Sequence, residues 1–273
     1  MKFERFLSIP IFMVILLIGT VCYITVFIFI DGWVGLKSSA GSLNALVFIS
    51  LASLCLFSFF CCVLTDPGHV PASYVPDVEH SVVSDQESKK NVRCDKCSTY
   101  KPPRTHHCRV CRRCVLRMDH HCMWINNCVD YWNYKAFFML ALYATLACLY
   151  STVMIIKCVS QKDFEFIGSD SHKVFYVSYV WLVMASLTVM LGALLGWHIY
   201  LITNNMTTIE YYEGIRAAWL AGKSGQSYRH PYNLSVHKNI SLVLGPSMLK
   251  WLCPTSVGHL KDGLMFPTPR DSS

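Results

Sequence analysis

At 273 residues, with 53% hydrophobic and only 15% charged side chains, the chain is too apolar for an ordinary soluble domain, and a bilayer is its natural solvent. A formal net charge of +7 would suit nucleic acid, but the basic residues gather between and after the apolar stretches, where membrane orientation accounts for them, so no nucleic-acid partner is expected. The 14 cysteines do not read as a secreted disulfide framework, because seven of them crowd with four histidines into one short basic segment, a mixture that suits metal in a reducing compartment.

Four apolar stretches, near 6–30, 43–64, 136–156 and 175–202, reach the roughly 20 helical residues that a hydrocarbon core requires. The expected fold is an all-α membrane protein of four transmembrane helices, with a cytosolic, cysteine-rich double-zinc module between helices 2 and 3. The first stretch exceeds the roughly 7 to 15 apolar residues of a signal-peptide core and no A-x-A-like site follows it, so it reads as a retained helix. In chain order, 1–64 holds the first two spans, 65–91 a cytosolic linker, 92–135 the cysteine-rich domain, 136–202 the last two spans and 203–273 a cytosolic C-terminal region. Within the linker, 68–90 carries Pro71, Pro76 and a polar run without apolar period, the composition of a flexible connector.

Four spans put both termini on one side. The loops at 31–42 and 157–174 then share the other side with only Lys37, Lys157, Lys162 and Lys173 of the 24 Lys and Arg residues. The positive-inside rule makes the terminal side cytosolic, leaning on Lys2, Arg5 and the residues after the last span. Cys22, Cys55, Cys61, Cys62, Cys148, Cys158 and Cys253 lie mostly in apolar runs and read as small buried hydrophobes.

The segment 94–128 carries the chemistry. Cys94, Cys97, His107 and Cys114 recur as Cys108, Cys111, His121 and Cys128, each shifted by 14 residues. Each set offers three thiolates and an imidazole, the donors of a closed tetrahedral Zn²⁺ site. Because the second set begins before the first ends, the sites interleave, which leaves almost no room for regular structure and lets metal bonds replace a core. Redox dithiols are the competing reading of the C-x2-C pairs, but no βαβ unit accompanies them.

The two sets leave one clustered cysteine over. Cys122 follows Asp119, His120 and His121, standing where Cys108 stands in the first copy, while His120 stands where His106 does. A thiol beside a histidine and a carboxylate is how a nucleophile is built: His120 takes the thiol proton, and Asp119 holds the imidazole and its positive charge. The bland alternative is a spare thiol beside a structural histidine.

Asp119-His120-His121-Cys122, inside such a segment between the second and third of four spans, resembles the DHHC protein S-acyltransferases. The likeness runs through Cys94-Asp95-Lys96-Cys97, Lys101-Pro102-Pro103-Arg104, Met118 to Cys122 and Trp124 to Cys128, and extends to Asp66-Pro67-Gly68, Thr207-Thr208-Ile209-Glu210 and Asn239. Met123 departs from it, since the family usually has proline there.

The resemblance implies a ping-pong reaction in which Cys122 takes a fatty acyl group from acyl-CoA and passes it to a cysteine of a substrate protein. His120 would be the base, Asp119 its orienter and His121 a zinc ligand, with two structural Zn²⁺ ions and acyl-CoA as co-substrate. It further implies an acyl chain lying among the membrane helices and basic residues meeting the CoA phosphates. Arg104, Arg109, Arg112, Arg113 and Arg117 are candidates for that contact, though a solvated or lipid-facing surface explains such charges equally well. Thr208 is implied to hydrogen-bond near Asp119, and Asn239 to tie the tail to the core. The implied partners are palmitoyl-CoA or a similar acyl-CoA, membrane-associated proteins with cytosolic cysteines and the bilayer itself, in the Golgi, a related endomembrane or the plasma membrane.

Thr207 and Glu210 also form a capping box, from which a helix would run through Tyr212, Ile215 and Trp219 along the membrane surface. The apolar run at 240–252 is expected in the interface. Two rivals remain. A membrane-tethered zinc-binding adaptor without catalysis has no use for the Asp119–His120–Cys122 cluster. A channel or transporter would need ionisable residues within the spans, which hold almost none apart from His198.

Overall fold

The computed structural model describes residues 8–76, 93–160 and 171–269. Lys2 and Arg5, most of the expected connector (77–92) and the centre of the 157–174 loop (161–170) lie outside the described residues.

Among the described residues, four helices are long and apolar enough to cross a membrane: α1 (Ile9–Trp33), α2 (Ser39–Leu64), α3 (Tyr134–Ser160) and α4 (Ser171–Thr203). α1 begins within its apolar stretch and α2 ends with its own, but the other ends overrun by a few residues, because hydropathy marks the hydrocarbon while the helical hydrogen bonds continue into polar turns. Such a turn follows α1, where the Asp31 side chain accepts from the Leu36 amide at 2.9 Å. Pro10 sits in the first turn of α1, where its missing N–H removes no helical bond. Residues Ile24–Ile30 of this helix are wound as a π-helix.

By contacts the chain divides into two units. The first takes Met1–Phe60 and Phe138–His198, and its interior consists of Phe29, Cys148, Ile155, Cys158, Val180 and Met184, with Val26, Ile30, Phe48, Ala52, Ala147 and Met154 in a second cluster. Small residues among these let helices approach closely, as packing in lipid demands. The buried Thr25 and Ser151 hydroxyls bond to each other at 2.7 Å, and Thr25 also meets the Val21 carbonyl, so neither hydroxyl is left unsatisfied in hydrocarbon. Leu46, Leu182 and Val189 face outward, as a lipid solvent requires. Of the seven cysteines outside the module, Cys55, Cys62, Cys148 and Cys158 are buried and Cys22 and Cys61 half-buried, but Cys253 is exposed, contrary to expectation.

The second unit, Cys61–Phe137 and Ile199–Ser273, corrects the expectation of a module without regular structure. Three antiparallel hairpins follow one another: β1 (Arg93–Cys94) with β2 (Thr99–Tyr100), β3 (His106–Cys108) with β4 (Arg113–Val115), and β5 (His120–Cys122) with β6 (Asn127–Val129). Their registers coincide, pairing Cys94 with Thr99, Cys108 with Arg113 and Cys122 with Asn127. Ser98, Arg112 and Asn126 take the left-handed conformation at the same place in each turn, with φ of 54°, 55° and 47°. The 14-residue spacing seen in two ligand sets is thus the period of a three-hairpin repeat. Strands of two or three residues suffice because each C-x2-C occupies the turn, while a histidine and the third cysteine face each other across a ladder.

Helix α5 (Thr208–Lys223) starts at the expected capping box, with the Glu210 amide donating to Thr207 Oγ1 and the Thr207 amide to Glu210 Oε2. Tyr212, Ile215 and Trp219 are all exposed, and Lys223 lies 3.6 Å from the centre of the Trp219 ring. Helix α6 (Val236–Leu244) ends at Gly245, whose φ is 99° and whose absent Cβ would come within 3.1 Å of His259. The run at 240–252 is accordingly split: Val243 and Leu244 are buried, whereas Met248, Leu249 and Leu252 project outward.

Candidate active site and metal centres

Each ligand set gathers its donor atoms within 4.8 Å of one another. In the first, His107 Nδ1 lies 3.5, 3.2 and 4.0 Å from the sulfurs of Cys94, Cys97 and Cys114. In the second, His121 Nδ1 lies 3.6, 3.5 and 3.6 Å from those of Cys108, Cys111 and Cys128, and the Cys111 and Cys128 sulfurs are 3.5 Å apart. A zinc tetrahedron with Zn–S near 2.3 Å and Zn–N near 2.0 Å has edges of roughly 3.5 to 3.8 Å, so both donor sets fit Zn²⁺. The cross-strand pairs make this possible: His107 faces Cys114 and His121 faces Cys128, which puts two donors on one side of a ladder. A hairpin turn supplies the first two ligands of a site, and the following hairpin supplies the last two.

That rule explains why Cys122 is left out. It occupies the first-ligand position of the third turn, but the next ladder does not exist, because from Tyr134 the chain is helical. In place of the second-ligand cysteine stands Ile125, buried to 1% exposure.

The groups around Cys122 are arranged for proton transfer. Asp119 is fully buried, and its Oδ2 meets His120 Nδ1 at 2.7 Å. Thr208, the first residue of α5, donates its amide to Asp119 Oδ1 and its hydroxyl to Oδ2, both at 2.9 Å. The carboxylate therefore sits at the positive end of a helix. Phe137 packs edge-on against the His120 ring with centroids 5.4 Å apart, fixing its plane. His120 also hydrogen-bonds Cys122. Burial works against charge on His120, but the hydrogen bonds to Asp119 and Cys122 outweigh it and raise its pKa to about 9. Burial pushes the Cys122 thiol up, yet His120 and the backbone amides of Ile125 and Trp124 hold it below its ordinary value. These contacts favour an imidazolium–thiolate pair. At the equivalent place one hairpin earlier, Thr105 stands in for Asp119.

The five arginines separate sharply. Arg104 is buried and binds Glu210 through two bonds of 2.6 and 2.7 Å, with further bonds to Asn205 and stacking on Tyr232 and Phe266. Arg117 is buried as well, donating to Asn205 Oδ1 at 3.3 Å and lying over the Tyr134 ring, and burial beside Arg104 lowers its pKa to about 10. Both are thus removed from the phosphate-binding candidates, since their guanidinium groups lie inside the unit. Arg113 reaches Asp66 at 3.0 Å, while Arg109 and Arg112 face solvent. Glu210, whose charge burial opposes, is held below its ordinary pKa by Arg104 and Arg117.

Asn239 is fully buried and bonds the Thr203 carbonyl, the Asn233 side chain and the Leu234 amide, fastening α6 to the end of α4. Gly68 of Asp66-Pro67-Gly68 has φ of 68° and lies so close to Trp132 that a Cβ would come within 2.9 Å of the indole. Sequence reasoning passed over Lys135, whose buried ammonium donates to the carbonyls of Leu244, Lys250 and Ser256 at 2.7, 2.9 and 3.0 Å. It also passed over Asn127, which reaches the carbonyls of Cys62 and Thr65 at the end of α2. A lysine directly before an apolar run was the available signal for Lys135; Asn127 gave none.

The family profile described as DHHC palmitoyltransferase matches residues 87–215. The chain is 59% identical to "Probable protein S-acyltransferase 15" of Arabidopsis thaliana over 93% of its own length and 100% of the relative's. It is 49% identical to "Probable protein S-acyltransferase 16" of the same organism over 97% and 94%. With human "Palmitoyltransferase ZDHHC2" it shares 33% identity over 64% of this chain and 46% of the human one. Two interleaved zinc sites, a free cysteine held by histidine and aspartate, four membrane helices and end-to-end likeness to these relatives together establish that the chain belongs to the DHHC palmitoyltransferase family.

Proposed function

We propose that the chain is a protein S-acyltransferase in which Cys122 carries a fatty acyl group from acyl-CoA to cysteine thiols of other proteins. The observation that bears most weight is the buried Asp119–His120 pair, 2.7 Å apart, beside a sulfur that neither zinc set claims. The Cys122 thiolate attacks the acyl-CoA carbonyl; a thioester forms, and CoA leaves as its thiol with the proton held by His120. His120 then takes the proton of the incoming substrate thiol, which displaces Cys122. Thioester-to-thiol exchange is close to isoenergetic, so positioning and thiolate formation are what the protein must supply. The two donor sets, Cys94, Cys97, His107 and Cys114, and Cys108, Cys111, His121 and Cys128, would hold Zn²⁺ ions that orient the hairpins.

Palmitoyl-CoA or a similar long-chain acyl-CoA is the donor in this reading, because each methylene buried in lipid contributes about 0.8 kcal/mol. The exposed Arg109 and Arg112, with Arg113, meet the CoA phosphates. The acceptors are membrane-associated proteins with cytosolic cysteines, and the residues after α4 face the cytosol of an endomembrane such as the Golgi. A protease added to sealed microsomes should therefore remove a C-terminal tag, and full protection would reverse this orientation. Alkyne-fatty-acid labelling tests the chemistry. A hydroxylamine-sensitive label that Cys122→Ser removes, with zinc content unchanged, is the expected result; a label that survives Cys122→Ser places the nucleophile elsewhere, and no label at all favours the adaptor.

A further inference from the structure

The three hairpin turns are one motif in three copies. Register, left-handed residue and the amide donated to the first cysteine all recur: the Cys97 and Cys111 amides donate to the Cys94 and Cys108 sulfurs, the latter at 3.3 Å, and the Ile125 amide donates to Cys122. In the first two copies the side chain on that donating residue is the second metal-binding thiol. In the third it is the sec-butyl group of Ile125, with 1% exposure.

Two zinc donors already meet in this turn, where the Ile125 amide donates to Cys122. Cys122 offers a sulfur, and His120 hydrogen-bonds it while its Nδ1 is held by Asp119 at 2.7 Å. A carboxylate behind a histidine is the arrangement that zinc-bound imidazoles use to fix their tautomer. Zinc sites that keep an open position hold the ion with three protein ligands. The hairpin is therefore one donor short of a third site, and the missing donor is the one that the repeat supplies twice elsewhere.

We propose that Ile125 is a positioning residue that keeps Cys122 free of metal: an apolar side chain in the second-ligand place of a zinc knuckle, which leaves a sulfur and an imidazole too few to hold the ion. This goes beyond the catalytic reading, because metal content reports it whether or not Cys122 carries an acyl group. It also accounts for how a free thiol persists beside two sites that take up zinc from the same cell.

The test is zinc content per chain, measured by elemental analysis on monodisperse detergent-purified protein. Ile125→Cys should raise zinc from two to about three ions, with Cys122, His120 and the introduced thiol as ligands, and should abolish the acyl-enzyme label. Ile125→Ser, which alters the packing similarly but brings no soft donor, should stay at two. The double variant Ile125→Cys with Cys122→Ala should return to two, which ties the third ion to Cys122. Ile125→His is the second donor variant, for use if the cysteine variant does not fold, and should also raise the count. Two ions per chain in whichever donor variant folds would overturn the proposal, whether the label is kept or lost; so would a third ion that persists without Cys122.

Discussion

The second and third hairpins of the module have the same backbone, and their first strands read Thr105-His106-His107-Cys108 and Asp119-His120-His121-Cys122. Yet one cysteine belongs to a metal set and the other to none. The difference lies downstream and beside the motif. After the second hairpin comes another ladder that presents His121 and Cys128, and after the third comes α3. Thr105 offers a hydroxyl where Asp119 offers a carboxylate held by Thr208. One scaffold thus serves structure where its neighbour completes a tetrahedron, and chemistry where the neighbour is a helix.

The largest effects should separate the two cysteines. Cys108→Ser removes a ligand from a closed site whose metal carries about 10 kcal/mol or more of folding free energy, so loss of zinc and of monodisperse protein is expected. Cys122→Ser should keep two zinc ions and lose only the acyl label. If both variants lost zinc, the contrast would fail. Next in size is Asp119→Asn, which leaves the imidazole without its counter-charge; acyl-enzyme formation should slow by about 10²- to 10⁴-fold with zinc unchanged.

The pH profile sharpens the same point. With His120 raised to about 9 and the Cys122 thiol held low, the ion pair is lost on the acid side as the thiolate protonates and on the alkaline side as the imidazolium gives up its proton near pH 9. Alkylation of Cys122 should begin below the ordinary thiol range of about 8.5, and His120→Ala should move that limb upward. An unchanged limb would remove His120 from the pair. Arg104→Ala leaves Glu210 buried without its main partner and should lower stability by about 3–5 kcal/mol in thermal unfolding, whereas Arg109→Ala should leave the midpoint within about 0.5 kcal/mol and weaken acyl-CoA binding. The smallest effect belongs to Thr105→Asp, which writes the Asp-His-His-Cys motif into the second hairpin: Cys108 should gain no label, since zinc holds its sulfur.

Much of this site was legible in the sequence, for a physical reason. Metal ligands are fixed by residue type and by ladder geometry, so a 14-residue shift that maps four ligands onto four others discloses both sets, and subtraction isolates Cys122. The equivalence of Cys122 to Cys108 is plain in the sequence, but the third turn is not, because Ile125 and the turn residue Asn126 carry no chemical label. Nothing local marks Arg104 and Arg117 as buried, because sequence position between spans says nothing about burial. Their acceptors, Asn205 and Glu210, lie about a hundred residues downstream in the chain, beyond any local pattern. Hydropathy located the four spans but missed the helix ends, where polar side chains extend the backbone order.

Lys135 has a practical consequence. Its ammonium draws three carbonyls from the C-terminal region onto the first turn of α3, only a few residues after the DHHC hairpin. The stretch from Leu244 to Ser256 is therefore no spare end on which a reporter can be grafted: an insertion there unhooks a clamp that shares its anchoring helix with the reacting hairpin. Versions of the protein shortened or fused for purification should keep the chain whole past Ser256.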